Sequence, residues 1–477
     1  MNRRNFLKAL NGTTISILNA GLLLGTAQSC TNRVNKKPNI IYILADDLGY
    51  GDLGCYGQTK IKTPNLDRMA KEGMRFTDHY SGSTVCAPSR CTLMTGFHTG
   101  HSRVRGNYEK GPYGFGAGLE LRSEDTTVAE LLKNAGYTTG LFGKWGLGVH
   151  GTTGEPNKKG FDEFFGYLNQ GQAHFYYPEC LWKNDQKIFL AGNFQGKKTQ
   201  YSHDLITKEA FKFIKNNKDN PICLFLTYTI PHAELLVPED SLAEYRGKFP
   251  ETHYENIGAG GLEGYGTQPT PKAAFAAMIT RMDRDIGRLF DLLKELGIDK
   301  NTLVMFSSDN GPHSEGGADP VFFKSSGGLR GGKRDLYEGG IRVPMIARWP
   351  SHIKPGSETD HVSAFWDVLP TLCDVAGIGS PDCDGLSFLP VLLGRQQRKH
   401  DFLYWEFHER KTTNFAIRFG KWKAIKHKPG SQMELYDLEK DRAEKTDVSV
   451  KYPEIVAKMN KFFDGARVEH EIWKLKN

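Results

Sequence analysis

The run Ile40-Ile41-Tyr42-Ile43-Leu44-Ala45-Asp46-Asp47 stays apolar for six residues and then turns abruptly acidic. A strand with one wet face alternates apolar and polar residues; this one does not. It is therefore expected to be covered on both faces, as strands of a parallel sheet are. The design recurs further along the chain. Thr138 to Phe142 leads into Lys144, Cys223 to Tyr228 leads into His232, and Leu303 to Phe306 leads into Asp309-Asn310. Helical segments lie between these runs. Pro64 to Glu72 opens on Thr63-Pro64 and stops at Gly73; Thr127 to Asn134 ends before Gly136; Pro271 to Leu296 is amphipathic and ends at Gly297. Strand and helix in alternation predict an α/β fold, a large mixed, mainly parallel sheet sandwiched by helices. In such sheets ligands gather beyond the carboxyl ends of the strands. Four strand ends here present Asp, Lys, His and Asn.

The texture changes after Trp349-Pro350. A last α/β stretch runs to about Leu393, followed by aromatic strands at 402–407, 415–417 and 422–425 and a terminal helix from Tyr452 to Phe463. These predict a smaller C-terminal α+β subdomain, 394–477, packed against a main domain spanning 36–393. The N-terminus has the marks of an address. Arg3, Arg4 and Lys8 precede an interrupted apolar stretch too short to span a bilayer comfortably, then small residues and Cys30. Residues 2–8 resemble a twin-arginine export motif and 27–30 a relaxed lipoprotein box. The expectation is an exported protein, periplasmic or lipid-anchored at the outer membrane of a bacterium. An ordinary cleaved signal with an incidental cysteine fits the same residues.

The 477 residues carry 62 Lys+Arg against 55 Asp+Glu, a formal charge of +7, with 39% apolar and 25% charged residues. That balance excludes an integral membrane protein and a disordered chain. No long basic run appears, so no nucleic-acid partner is expected, and contact with a membrane only through the N-terminal lipid. Eight cysteines contain no Cys-x-x-Cys pair, which argues against a zinc ribbon. Cys373 and Cys383 suit a local disulfide or two buried thiols equally well.

The chemistry concentrates in Cys86-Ala87-Pro88-Ser89-Arg90-Cys91-Thr92-Leu93-Met94-Thr95-Gly96. Pro88 fits the first turn of a helix whose free N–H groups face Cys86. That end attracts anions, and Arg90 adds a fixed cation able to pair with an oxyanion. A nucleophile there, beside acidic strand ends, suggests attack on a tetrahedral oxyanion ester.

The string resembles the signature of the type I sulfatases of the alkaline phosphatase superfamily, and the likeness runs from Pro38 to the Glu434-Leu435-Tyr436-Asp437-Leu438 segment. The resemblance implies a sulfuric ester hydrolase in which a maturase converts Cys86 to formylglycine, working as its hydrate. It implies a metal site of Asp46, Asp47, Asp309 and Asn310, with residue 86 touching the ion. Hard oxygen ligands favour Ca²⁺, with Mg²⁺ second. Lys144 and Lys333 would hold sulfate oxygens, His232 would contact the sulfate or protonate the leaving oxygen, and Arg90 would anchor the nucleophile. Many family members carry a histidine two residues after the lysine; Gly146 stands there, with His150 nearby. His174, among Tyr and Trp residues, and His313 and Arg330, near the metal loop and the lysine, are expected to border a carbohydrate pocket, with Glu315 beside them. The signal and the Gly143-to-Gly148 variant look like bacterial enzymes acting on sulfated glycans, with galactose or N-acetylgalactosamine as the sugar. Two alternatives stay open: a phosphonate or phosphate ester hydrolase of the same superfamily, and a non-catalytic lipoprotein that binds sulfated glycans.

Overall fold

The computed structural model describes residues 37–107, 110–111, 114–115, 118–256, 264–409 and 412–476. The segment expected to be an export signal, 1–29, and Cys30 lie outside the described residues. The first acid-tipped run forms β1 (Asn39–Asp46), and all eight of its residues are buried. The covering is two-sided, with period 2. Ile41, Ile43 and Ala45 enter one core, while Ile40, Tyr42 and Leu44 enter another on the opposite face. One sequence feature, an apolar run without alternation, thus binds two helical layers to a single strand.

Nine further strands complete the main sheet: β2 (Met74–Phe76), β3 (Thr138–Lys144), β4 (Glu163–Tyr167), β5 (Cys180–Lys183), β6 (Gln186–Phe189), β7 (Ile222–Pro231), β8 (Thr302–Ser308), β9 (Met345–Arg348) and β10 (Ser357–Thr359). Their spatial order among the described residues is β10-β2-β9-β8-β1-β7-β3-β4-β5-β6. The middle strands from β8 to β4 pair in parallel, and antiparallel pairings lie outside them, β8 with β9 and β4 with β5. The sheet is mixed and mainly parallel, with the predicted strands in its centre. One layer of helices includes α1 (Pro64–Glu72) and the long α5 (Pro271–Glu295); the other includes α2 (Cys86–Thr95), α3 (Val128–Asn134) and α6 (Val368–Ala376). Between them α4 (Ser202–Asn216) joins the first layer. Thr127 caps α3 through a reciprocal capping box with Glu130.

The C-terminal part is an antiparallel sheet of β11 (Leu403–Glu409), β12 (Thr412–Phe419), β13 (Trp422–Lys426) and β14 (Glu434–Asp437), followed by α7 (Pro453–Gly465). Alternation assigns its two faces. Leu403, Trp405 and Phe407 pack with Tyr80, Val85 and Trp366 of the main body, while Tyr404, Phe415 and Ile417 pack against Met459 and Phe463 of α7. From Lys37 onward the chain forms one compact unit, so this sheet is a layer of the same body. The described cysteines are all free thiols, Cys373 and Cys383 included. No helix among the described residues is long and apolar enough to cross a membrane.

Candidate active site

Strands β8, β1, β7 and β3 are consecutive neighbours, and their carboxyl ends deliver Asp309-Asn310, Asp46-Asp47, His232 and Lys144 in that order. The register between β1 and β7 slips after Leu44, so that Asp46 stands opposite Pro231. A bulge of this kind re-aims side chains at a strand end. Asp47 follows in the left-handed region, φ 63°, with its N–H donating to Asp309 Oδ1 at 3.1 Å.

Helix α2 supplies the nucleophile. Cys86 is its first residue, and all ten residues of the helix are buried. Cys86 and Arg90 are four apart and share one helix face. The Cys86 Sγ lies 3.3 Å from Asp46 Oδ1 and 4.0 Å from Asp47 Oδ1. Arg90 donates from Nε (3.1 Å) and Nη2 (2.8 Å) to Asp309 Oδ2, and from Nη1 to the Lys144 carbonyl at 2.8 Å. Burial, and next the Asp46 carboxylate, push the Cys86 thiol well above the ordinary cysteine range. In the protein alone this cysteine is a thiol, not a thiolate.

Ligand atoms of Asp46, Asp47, Asp309 and Cys86 all lie within 4.8 Å of one another. Burial and then the Asp46 charge raise Asp309 to about 7, so the carboxylates resist sharing this space without a cation. Asn310 donates from Nδ2 to Asp47 Oδ1 at 2.7 Å, while its Oδ1 is buried with no hydrogen-bond partner. Buried acceptors are normally satisfied. Three carboxylates and an unpartnered amide oxygen form an oxygen-rich donor set that fits a hard divalent ion.

Opposite the acids stand the cations. Lys144 Nζ donates to Asp46 Oδ2 at 2.7 Å, and Lys333 Nζ donates to Asp47 Oδ2 at 2.8 Å. Burial works against both ammonium charges, but Asp46 at Lys144, and Asp47 with Glu315 at Lys333, outweigh it and raise both pKa values. Lys333 Nζ also lies 2.9 Å from His232 Nε2. Burial, and then Lys333, hold His232 well below its usual pKa. The imidazole is neutral: Nε2 accepts from the ammonium, and Nδ1–H donates to the Ala233 carbonyl.

The nine nucleophile, metal and cation residues read from the sequence therefore converge. The remaining three differ. His174 stacks on His232, ring centroids 4.3 Å apart. His313 also stacks on His232, at 5.5 Å, but its Nε2 donates to the Pro231 carbonyl and its Nδ1 accepts the Glu315 N–H. Both of its nitrogens are committed to backbone. Arg330 is not brought to the nucleophile; its guanidinium lies 3.8 Å from the Tyr337 ring centroid and donates to Tyr436 Oη and the Glu444 carbonyl. His150 does not turn inward either. It is exposed and stacks on Trp182. Gly146 has φ 78°, and a Cβ there would meet Gln170 Nε2 at 2.3 Å, so Gln170 fills the space a longer residue would need. The neighbour that sequence reading left undeveloped is Glu315, which contacts Lys333 and lines a cavity of about 510 Å³ with Pro312, Lys333 and Arg334.

Comparison with known proteins agrees with this geometry. The family model described as Sulfatase matches residues 38–378, and that described as N-sulphoglucosamine sulphohydrolase, C-terminal, matches 331–469. The chain is 34% identical to arylsulfatase A of Homo sapiens over 425 residues, 82% of this chain and 75% of the relative. It is 33% identical to N-acetylgalactosamine-6-sulfatase of Mus musculus over 418 residues, covering 82% and 72%. A solved structure described as Ps i-CgsB in complex with k-i-k-neocarrahexaose superposes with a TM-score of 0.77 at 29% identity, covering 93% of this chain and 95% of that one.

Proposed function

This chain belongs to the sulfatase family and is a sulfuric ester hydrolase, and from that premise we propose that it removes sulfate from a carbohydrate of the galactose or N-acetylgalactosamine type. The relative named N-acetylgalactosamine-6-sulfatase and the similar structure solved with neocarrahexaose support the sugar. Residue 86 acts as a formylglycine hydrate made by a maturase. Ca²⁺, ahead of Mg²⁺, is the ion that Asp46, Asp47, Asp309 and Asn310 hold.

The observation that carries this reading is the placing of Cys86 Sγ against Asp46 and Asp47. A cysteine that attacks as a thiolate needs surroundings that stabilise its charge; burial, and next the Asp46 carboxylate, keep this one protonated even at the start of a helix. An oxygen nucleophile beside an ion suits the same place. A bound divalent ion neutralises charge on sulfate oxygens and on the nucleophile. The protein's own groups do the rest. Lys144 and Lys333 hold the sulfate oxygens, and Arg90 fixes Asp309 and the start of α2. The hydrate would supply the attacking oxygen as an alkoxide whose proton has gone to solvent; as that oxygen bonds to sulfur the ester S–O bond would break, the alcohol taking a proton from the Lys333–His232 pair. The second hydroxyl would then return a proton to that pair, the aldehyde would re-form as sulfate departs, and water would restore the hydrate.

Residues 1–30 support an exported enzyme, anchored through lipid on Cys30 and meeting its glycan outside the cytoplasm; labelled fatty acid should enter wild type and not Cys30→Ala. The function is tested by rates on aryl sulfate and aryl phosphate, with a mass measurement of the residue 86 peptide. Turnover of the sulfate with an aldehyde at residue 86 is expected. A strong phosphate preference, or full activity with an intact thiol, would overturn the reading. A panel of defined sulfated mono- and disaccharides then identifies the sugar.

A further inference from the structure

Lys333 spends its donors completely. An ammonium has three N–H bonds, and Nζ has three acceptors: Asp47 Oδ2 at 2.8 Å, His232 Nε2 at 2.9 Å and Glu315 Oε2 at 3.0 Å. Asp47 is needed on the metal side and His232 on the leaving-group side. Glu315 has no such task, yet it is held from several directions. Its Oε1 accepts from Arg334 Nη1 at 2.6 Å, its Oε2 from Tyr265 Oη at 3.3 Å, and its N–H donates to His313 Nδ1 at 3.1 Å. Burial opposes its ionisation, but the Lys333 ammonium, with the Arg334 guanidinium, outweighs that and holds it well below the usual carboxylate range.

The backbone around this pair is stapled as firmly. Lys333 N–H donates to the Pro312 carbonyl, three residues before Glu315, and Arg334 N–H donates to the Thr84 carbonyl, two residues before Cys86. Arg334 accepts a left-handed conformation, φ 79°, to do so. Backbone held in that region by its surroundings points to a geometric demand at the site. The contacts tie the Glu315 segment, the Lys333 loop and the approach to the nucleophile helix into one frame.

We propose that Glu315 is a positioning residue, which holds the Lys333 ammonium in place by accepting one of its three N–H bonds while Arg334 fixes the carboxylate, so that the N–H now spent on Asp47 can pass to a sulfate oxygen when substrate binds. The proposal rests on the reading of Lys333 as a sulfate-holding group. Glu315 also faces the cavity beside the site, where it would touch the sugar instead. The two roles separate cleanly, because an aryl sulfate has no sugar.

The test compares wild type, Glu315→Gln and Glu315→Asp as matured full-length enzymes, on an aryl sulfate and on a sulfated disaccharide. A glutamine cannot accept charge-assisted bonds from both Lys333 and Arg334. Its kcat is expected to fall about 10- to 100-fold on both substrates, with KM within about 2-fold, the size expected of a group misplaced by an ångström. The aspartate variant keeps the charge and should recover a measurable part of kcat. Wild-type kcat of Glu315→Gln on the aryl sulfate, or a loss confined to the disaccharide, would overturn the proposal and make Glu315 a sugar contact. Equal losses in both variants that follow a fall in Tm would also overturn it, leaving a mere brace. A wild type idle on every sulfate ester would strike the family-level reading instead.

Discussion

Two buried clusters, each with three acids and three bases, do opposite work in this molecule. One is the active site, with Asp46, Asp47 and Asp309 facing Arg90, Lys144 and Lys333. The other lies beneath the C-terminal sheet, with Asp78, Glu338 and Glu444 among Arg342, Arg418 and Lys423. In the second the signs alternate. Asp78 sits between Arg342 (3.1 Å) and Arg418 (2.8 Å), Glu338 between Arg342 (2.6 Å) and Lys423 (2.9 Å), and Lys423 reaches Glu444 at 3.1 Å. In the first the signs are sorted: carboxylates converge on one point with Cys86, and the cations stand around them. Of the two, only the active-site acids group closely enough to hold an ion, among the described residues. Alternating charge neutralises itself and holds layers together; sorted charge is incomplete until ion and substrate arrive.

That contrast can be broken at its sharpest point by Cys86→Ala, which should abolish turnover, a fall of about 10⁵-fold or more, while leaving Tm nearly unchanged. Near-normal activity would remove residue 86 from the chemistry. Asp309→Ala should lower turnover about 10³-fold and metal affinity with it; undiminished rates after exhaustive chelation would dismiss the metal role. Arg342→Ala addresses the other cluster. Stripping one partner from buried charges costs about 3–5 kcal/mol, so a denaturation midpoint should drop sharply while the rate per folded molecule holds. Should Arg342→Ala instead spare stability and erase activity, the division of labour is false.

The smallest expected effect is with pH. Asp309 is raised to about 7 in the metal-free protein, against an ordinary value near 4. Between those values the folded state binds a proton that the unfolded chain has lost. Asp309 therefore contributes a loss of stability as pH rises from about 4 to 7, on the order of 1 kcal/mol per pH unit, set against the opposite slope of buried histidines such as His232, which the unfolded chain protonates more readily. Added Ca²⁺ should flatten that slope, and melting curves at several pH values with and without chelator will read it.

The central sheet was legible because its strands are apolar throughout and end in charge, which only a strand covered on both faces and open at its tip requires. The edges were not. β2, β9 and β10 are short, and β5 and β6 carry exposed or half-buried residues, so no periodicity singles them out. β14, four residues long, was missed for the same reason. Within the site, the spacing of Cys86 and Arg90 fixed their common face. Arg330 and Lys333 are three apart on a glycine-rich loop with no regular period, so chain proximity said nothing of direction; one enters the site and the other lies on Tyr337. His150 shows the same limit, since nearness to Gly146 along the chain does not turn a ring inward.

Helix α2 is buried along its whole length, and Cys86 itself is 3% exposed. The proposed oxidation of that cysteine consequently has a deadline. A modifying enzyme must grip the segment as open chain, before the helix forms and the layers close over it. A molecule that folded unmodified would have to open α2 again before such an enzyme could reach the thiol.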